Sequence, residues 1–295
     1  MNKGAWYAVG AYTIWGLLPV YWKWLQAVPA PQVLGHRILW SFLSLIALIW
    51  LSRQGKSFRA AVVQPQILRL YTIAAVLLGI NWLTYVWAVN AGFIVETSLG
   101  YFINPLLNVA LGVVFLRERL RSWQWLAIAL AAAGVLYLTF VYGSFPWIAL
   151  TLAVTFGLYG MVKKTAPLGS LHGLTLETAV LFLPALAYLS FSEVIGQGSF
   201  LHTGALGSLL LMGAGPVTSI PLLMFASAAQ RIPLSLVGIF QYIAPTLQFL
   251  LGVLVYGEAF STTRLIGFGL VWVGLIIFVL ERILAYRGQS ASEGG

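Results

Sequence analysis

A chain of 295 residues that is 60% hydrophobic and only 8% charged is not a soluble globular protein, in which about a quarter of the residues carry charge. Its formal charge of +9 would suggest a nucleic-acid partner in a soluble protein. No charged block here is long enough to form such a face, so none is expected. The absence of cysteine removes disulfides and thiolate metal sites, and neither a metal nor another cofactor is expected.

A bilayer span takes roughly 20 residues, and apolar windows of that size follow one another along the chain. The first, 4–22, follows Lys3 and precedes AVPA, which faintly resembles a peptidase site. Pro31 after the cut and the richness in Trp and Tyr argue against cleavage, so the window is expected to remain as the first span. The others are 33–51, 70–90, 94–116, 122–142, 145–162, 171–191, 203–229, 233–256 and 264–281. The expected fold is an all-α integral membrane protein with ten transmembrane helices. Placing the N-terminus inside puts 13 of the 16 lysines and arginines on the cytoplasmic side, with both termini cytoplasmic. Between the second and third windows, QGKS (54–57) ends like a phosphate-binding loop. It has Trp50 where glycine is needed and no expected helix after it, so neither an ATP site nor an ATPase subunit is expected.

A shift of 140 residues lays GYFINPLLNVALGVVFLRE (100–118) on residues 240–258. Pro105 meets Pro245, Asn108 meets Gln248, Gly112 meets Gly252, Glu118 meets Glu258 and Gly134 meets Gly274. Five helices per half is an odd number, so the second copy enters the membrane from the other side. This inverted repeat is typical of secondary transporters, whose site lies between the halves. The expected division is 1–143 for the first half, 144–282 for the second and 283–295 for a cytoplasmic tail.

The repeated run is also where polar groups enter an apolar helix. Tyr101, Asn104 and Asn108 recur at i, i+3 and i+7 and share one face, and Gln241 and Gln248 repeat the stripe, with Tyr242 able to join either face. Lipid offers these groups no partner, so they are expected to line a cavity between the halves or to bond another helix. Pro105 and Pro245 each free a backbone carbonyl there. Tyr12, Trp15 and Pro19 share a face of the first helix, and Thr155 and Tyr159 stand in its repeat partner. Asn81 and Tyr85, one turn apart in the third helix, add to the same interior.

Ionisable groups inside spans are costly and point to function. Arg37 and Glu177 are equivalent at the 140-residue offset, and they are read as site or gate charges, with Glu96 as a partner for Arg37 and Lys163 or Lys164 for Glu177. Glu177 is expected to couple transport to protons by losing its charge, with His36 as the fallback; the alternative is a permanent ion pair with Lys163 or Lys164 that keeps a gate shut. Glu118 and Glu258 precede the last helix of each half and are read as helix caps. Ala129, Ala133, Gly267 and Gly274 suggest close packing of the last helices.

YTIWGLLPVYWK, LGHRILWS, NWLTYVWAVN, ETSLGYFINPLLNVALGVVFLRERL, LETAVLFLPALAYL and FQYIAPTLQFLLGVLVYGE together resemble the RarD branch of the EamA transporters in the drug/metabolite transporter superfamily. The resemblance covers nearly the whole chain. It implies two inverted five-helix EamA repeats, a bacterial inner-membrane location and a chloramphenicol-resistance permease. The expected function is therefore a secondary transporter that moves a small aromatic or amphipathic metabolite or drug, with the bilayer and protons as partners. A membrane sensor with this fold would bind without flux. A lipid-acting enzyme would turn over without vectorial movement, and the sequence offers it no nucleophile motif.

Overall fold

The computed structural model describes residues 3–91, 93–143, 145–256 and 262–292. Each of the ten apolar windows is helical. The first half contains α1 (Lys3–Trp24), α2 (Ala30–Leu51), a short α3 (Gly55–Val62), α4 (Pro65–Asn90), α5 (Ile94–Val114) and α6 (Ser122–Tyr142). The second contains α7 (Trp147–Thr165), α8 (Ser170–Val194), α9 (Gly204–Arg231), α10 (Leu234–Gln241), α11 (Ile243–Leu250) and α12 (Thr262–Ser292). No strand occurs among the described residues. Pro31 and Pro65 sit in the first turns of α2 and α4, where a missing N–H costs nothing. Gly143 closes α6 with a φ of 78°, a left-handed conformation that glycine adopts without strain.

Two local details differ from the sequence reading. A helix does begin within QGKS, at Gly55, but α3 has only eight residues and Trp50 still stands where the phosphate motif needs glycine. The window 233–256 is also not one helix. It divides at Tyr242 into α10 and α11 and ends in a π-helical turn, Leu251–Val255. Pro245 supplies the reason, because it cannot donate to the Gln241 carbonyl and its ring crowds that turn.

Among the described residues, seven helices are long and apolar enough to cross a membrane: Ala30–Leu51, Pro65–Val89, Thr97–Val114, Ser122–Val141, Ser170–Val194, Gly204–Arg231 and the run Leu234–Val255. A shorter apolar helix covers Leu265–Glu281. α1 and α7 are missing from that set, and they are the equivalent first helices of the two halves. Both are rich in glycine and aromatic residues and bury themselves against other helices, with Ala8, Ala11, Tyr12, Ala149, Ala153 and Tyr159 at most 1% exposed. A helix that faces protein has no need of uniform apolarity.

The halves pack into each other with matched contacts. α1 lies on α9 and α11, and its equivalent α7 lies on α4 and α5. α2 meets α8, α5 meets α10 and α6 meets α12, each an element against its own repeat partner. The first helices run in opposite directions: Gly4 at the start of α1 and Lys164 at the end of α7 both meet Ile232. α6 and α12 approach closely because a Cβ on Gly134 would lie 2.7 Å from the Gly267 carbonyl oxygen, and one on Gly274 would lie 2.6 Å from that of Ala127. Gly267 and Gly274 thus serve the packing expected of them. Ala129 and Ala133 do not, being exposed on the far side of α6. The Glu281 carboxylate closes one end of this pair, accepting from Arg121 Nη1 at 3.1 Å and Gln124 Nε2 at 3.0 Å.

Glu118 caps a helix, but not the one that follows it. Its carboxylate accepts the backbone N–H groups of Leu234 at 2.6 Å and Ser235 at 2.9 Å, at the start of α10 in the other half. The chain turns back over Gly112, where a Cβ would lie 2.6 Å from a Glu118 carboxylate oxygen. Glu258 lies outside the described residues.

Candidate functional site

A cavity of about 180 Å³ opens between the halves, toward the end of the bundle where α1 finishes and α2 begins. α1 contributes Tyr12, Trp15, Pro19 and Trp22, which the helical repeat stacks on one face. α4 contributes Asn81, Trp82 and Tyr85, and α5 contributes Thr97, Gly100, Tyr101 and Asn104. The second half supplies Leu152 and Phe156 from α7, Thr218 and Leu222 from α9, Gln241 from α10, and Ala244, Pro245 and Gln248 from α11. Arg37 enters from α2.

Arg37 is the charged group of this wall among the described residues. Its Nε donates to Thr218 Oγ1 at 3.0 Å, and its guanidinium carbon lies 4.8 Å from the ring centroid of Trp22 and 5.0 Å from that of Trp82. Cation–π contacts of this kind contribute about 0.5–2 kcal/mol each, more when water is excluded. Tyr85 and Tyr101 stand beside it, their ring centroids 6.0 Å apart. The side chain of Glu96 lies outside the described residues.

One freed carbonyl finds its donor in the other half. Pro19 leaves the Trp15 carbonyl without an intrahelical N–H, and Gln248 Nε2 donates to it at 3.2 Å. Asn81 Nδ2 donates to the Leu152 carbonyl at 2.9 Å and to Thr155 Oγ1 at 3.0 Å, which ties α4 to α7. Tyr12, only 1% exposed, has a hydroxyl without a hydrogen-bond partner among the described residues.

Aromatic packing forms the floor. The Phe225 ring lies 6.3 Å from Tyr12, 5.8 Å from Trp15 and 5.2 Å from Phe156, and it stacks on Tyr159 with centroids 6.0 Å apart and planes 13° off parallel. Below this floor, Lys163 Nζ lies 2.6 Å from Glu177 Oε1, and the Tyr159 hydroxyl donates to Glu177 Oε2 at 2.9 Å. The Lys163 and Glu177 side chains are 1% and 0% exposed, so the pair is sealed within the end of the bundle opposite the cavity mouth. Lys164 belongs elsewhere and donates to the Ile232 carbonyl at 2.7 Å.

Of the residues singled out in the sequence, the structure brings Tyr12, Trp15, Arg37, Asn81, Tyr85, Tyr101, Asn104, Gln241 and Gln248 to the cavity. It does not bring Asn108, Tyr159, Tyr242, His36 or Glu177 there. Asn108 is fully buried beneath the wall, where its Nδ2 donates to Gln241 Oε1 at 2.8 Å. It pins the two equivalent stripes together. The Tyr242 hydroxyl donates to the Phe102 carbonyl at 3.2 Å, and its ring packs with Phe102, about 100° around the helix from Gln241. His36 is rotated away from its neighbour Arg37 and packs on Phe200, with centroids 5.3 Å apart.

Sequence reasoning missed Trp22, Trp82, Thr97, Phe156 and Thr218. Thr97 stands one turn before Tyr101 and Trp22 one turn after Pro19, so extending each stripe would have found both. Thr218, on a helix of a different half from Arg37, carries no local signal.

The chain matches the EamA-like transporter family twice, over residues 2–140 and 145–280. It is 46% identical over 285 residues to an uncharacterized transporter of Vibrio cholerae, covering 96% of this chain and 94% of the relative. It is 44% identical over 290 residues to protein RarD of Escherichia coli, covering 98% of each. With the chloramphenicol-sensitive protein RarD of Pseudomonas aeruginosa the identity is 30%, over 98% of this chain and 97% of the relative. Among the solved structures that share the fold is a crystal structure with a TM-score of 0.70 at 21% identity, over 95% of this chain and 98% of that one. With its apolar helices and bacterial relatives, it is a multi-pass protein of the bacterial inner membrane, and it belongs to the EamA-like transporter family, among relatives called RarD.

Proposed function

We propose that the protein is a secondary transporter that moves a small aromatic or amphipathic organic solute by alternating access, through ten spans with both termini in the cytoplasm. The observation that carries this reading is one wall drawn from both halves around a cavity that is sealed at one end, with Arg37 near the mouth and its repeat equivalent Glu177 beneath the floor. Seven apolar helices, the shorter Leu265–Glu281 and the protein-facing α1 and α7 add up to the ten spans. With the lysine-rich and arginine-rich loops inside, the cavity faces outward.

Lys163 and Glu177 act as a latch that holds the cytoplasmic end closed. Two halves of opposite direction can exchange conformations, so opening that end parts the pair and closes the other end around Trp22 and Arg37. A carboxylate left without its counter-ion inside an apolar span needs a new partner, and a proton supplies it. Coupling to protons would then run through the step in which the latch opens.

Flux tests the reading. Purified protein in lipid vesicles, loaded with one of a panel of amino acids, aromatic metabolites and phenicols, should exchange labelled solute for at least one of them. Saturable binding with no flux for any bound solute would instead make the protein a sensor.

A further inference from the structure

We propose that the cavity takes a single-ring organic monoanion, with its carboxylate on the outer edge of the Arg37 guanidinium and its ring on the aromatic wall. The inference rests on the transport reading and names the class of its solute. A guanidinium inside an apolar span needs a reason. Arg37 is partly exposed, and that exposure is to the cavity. Its Nε is held by Thr218, and its faces are flanked by Trp22 and Trp82. The group is therefore oriented from three sides, while its terminal nitrogens make no hydrogen bond among the described residues. A fork of two parallel N–H donors fits a carboxylate.

The repeat sharpens the contrast. The equivalent position, Glu177, has its counter-ion in Lys163 and is sealed from the cavity, so the two inherited charge positions have separated into a protein-filled one and one facing the solute. No acidic side chain among the described residues lines the cavity, so among them the ammonium group of an amino acid would find no counter-charge.

Size sets the body of the ligand. The volume of about 180 Å³ is near the roughly 150 Å³ that holds benzene in an apolar site, and below the usual range for drug-sized ligands. Trp15 and Phe156 offer ring faces. Asn104 and Gln241 in the wall can bond a polar substituent.

The test measures binding to the full chain in phosphatidylcholine nanodiscs by calorimetry, with 3-phenylpropionate, its amide, phenylalanine and chloramphenicol as probes. The carboxylate should bind at least about tenfold more tightly than the amide, the scale of one charge-assisted pairing. Arg37→Gln should bring that ratio to within about twofold, and Arg37→Lys should leave it between, because an ammonium has no fork. Elution and melting temperature check folding, and if Arg37→Gln fails to fold, Thr218→Val, which removes the anchor of Nε, should lower the ratio at least about threefold.

A ratio near one in the unaltered protein would overturn the proposal, since a carboxylate of the chain itself would then be neutralising Arg37. Phenylalanine or chloramphenicol binding as tightly as the carboxylate, a ratio unmoved by the variants, or no binding of any probe would do the same. Vesicle flux is scored separately. Arg37-dependent carboxylate binding without flux keeps this inference and removes the transport reading, whereas equal flux of amide and carboxylate keeps transport and removes the inference.

Discussion

Gln248 donates from its side chain to the carbonyl oxygen of Trp15 over 3.2 Å, and that carbonyl is the one that Pro19 leaves without a helical donor. A proline in one half and an amide in the other thus form one device. Gln248→Leu should destabilise the protein by about 1–3 kcal/mol, the cost of an unpartnered buried carbonyl. Adding Pro19→Ala returns an N–H at position 19 and should recover part of the loss. Thermal melting of both single variants and the double variant checks this, and additive losses would show that the two residues act independently.

The second prediction concerns the sealed ion pair. Lys163→Met or Glu177→Leu leaves one buried charge uncompensated and should cost about 3–5 kcal/mol, whereas the two together should cost much less. Because the chain has no cysteine, a lone cysteine at the buried position Ala229 reports on that end, and it should react faster with a soluble maleimide in the double variant. Unchanged labelling would remove the latch. For coupling, Glu177→Gln should abolish pH-driven uptake while exchange at equal pH survives, and retained pH-driven accumulation would rule out coupling through Glu177.

Glu118 should behave as a structural residue although its charge is matched in the repeat. Glu118→Ala deprives the Leu234 and Ser235 N–H groups of their acceptor, at a cost of about 0.5–2 kcal/mol. Membrane abundance and transport should fall in proportion, and Gly112→Ala, which crowds the same carboxylate, should copy the effect. Normal abundance with lost transport would instead give Glu118 a part in the transport cycle.

Within the stripe the structure separates two kinds of polar residue. Tyr101→Ala and Asn104→Ala should lower transport at least about tenfold with near-normal abundance, as expected for loss of a contact worth more than about 1.4 kcal/mol. Asn108→Leu should cut abundance as well, because it removes the buried donor that holds Gln241 Oε1 beneath the wall. Transport per molecule in vesicles, set against protein level by immunoblot, distinguishes the two. Parallel losses at Tyr101 and Asn104 would make the whole stripe structural.

The sequence by itself determined the helices, because apolarity and its interruptions are local. It determined the repeat through residues such as Pro105 and Pro245, and it placed a polar face on α1 and α5, since successive residues turn by about 100° and the phase is set within each helix. What covers each face was decided only by the tertiary structure. Asn104 and Asn108 are equivalent by spacing, yet one reaches the cavity while the other is spent on Gln241. His36 and Arg37 are adjacent, yet they face Phe200 and the cavity respectively. Tyr242 is spent on the Phe102 carbonyl while its neighbour Gln241 reaches the cavity, and Glu118 found its helix in the other half. The deciding partners stand on other elements, more than 100 residues away: Gln241 and Leu234 on α10, and Phe200 in the turn between α8 and α9. Contacts between separate helices leave no periodic trace in either one, so only the packed halves determine which polar group meets the solute and which holds the wall.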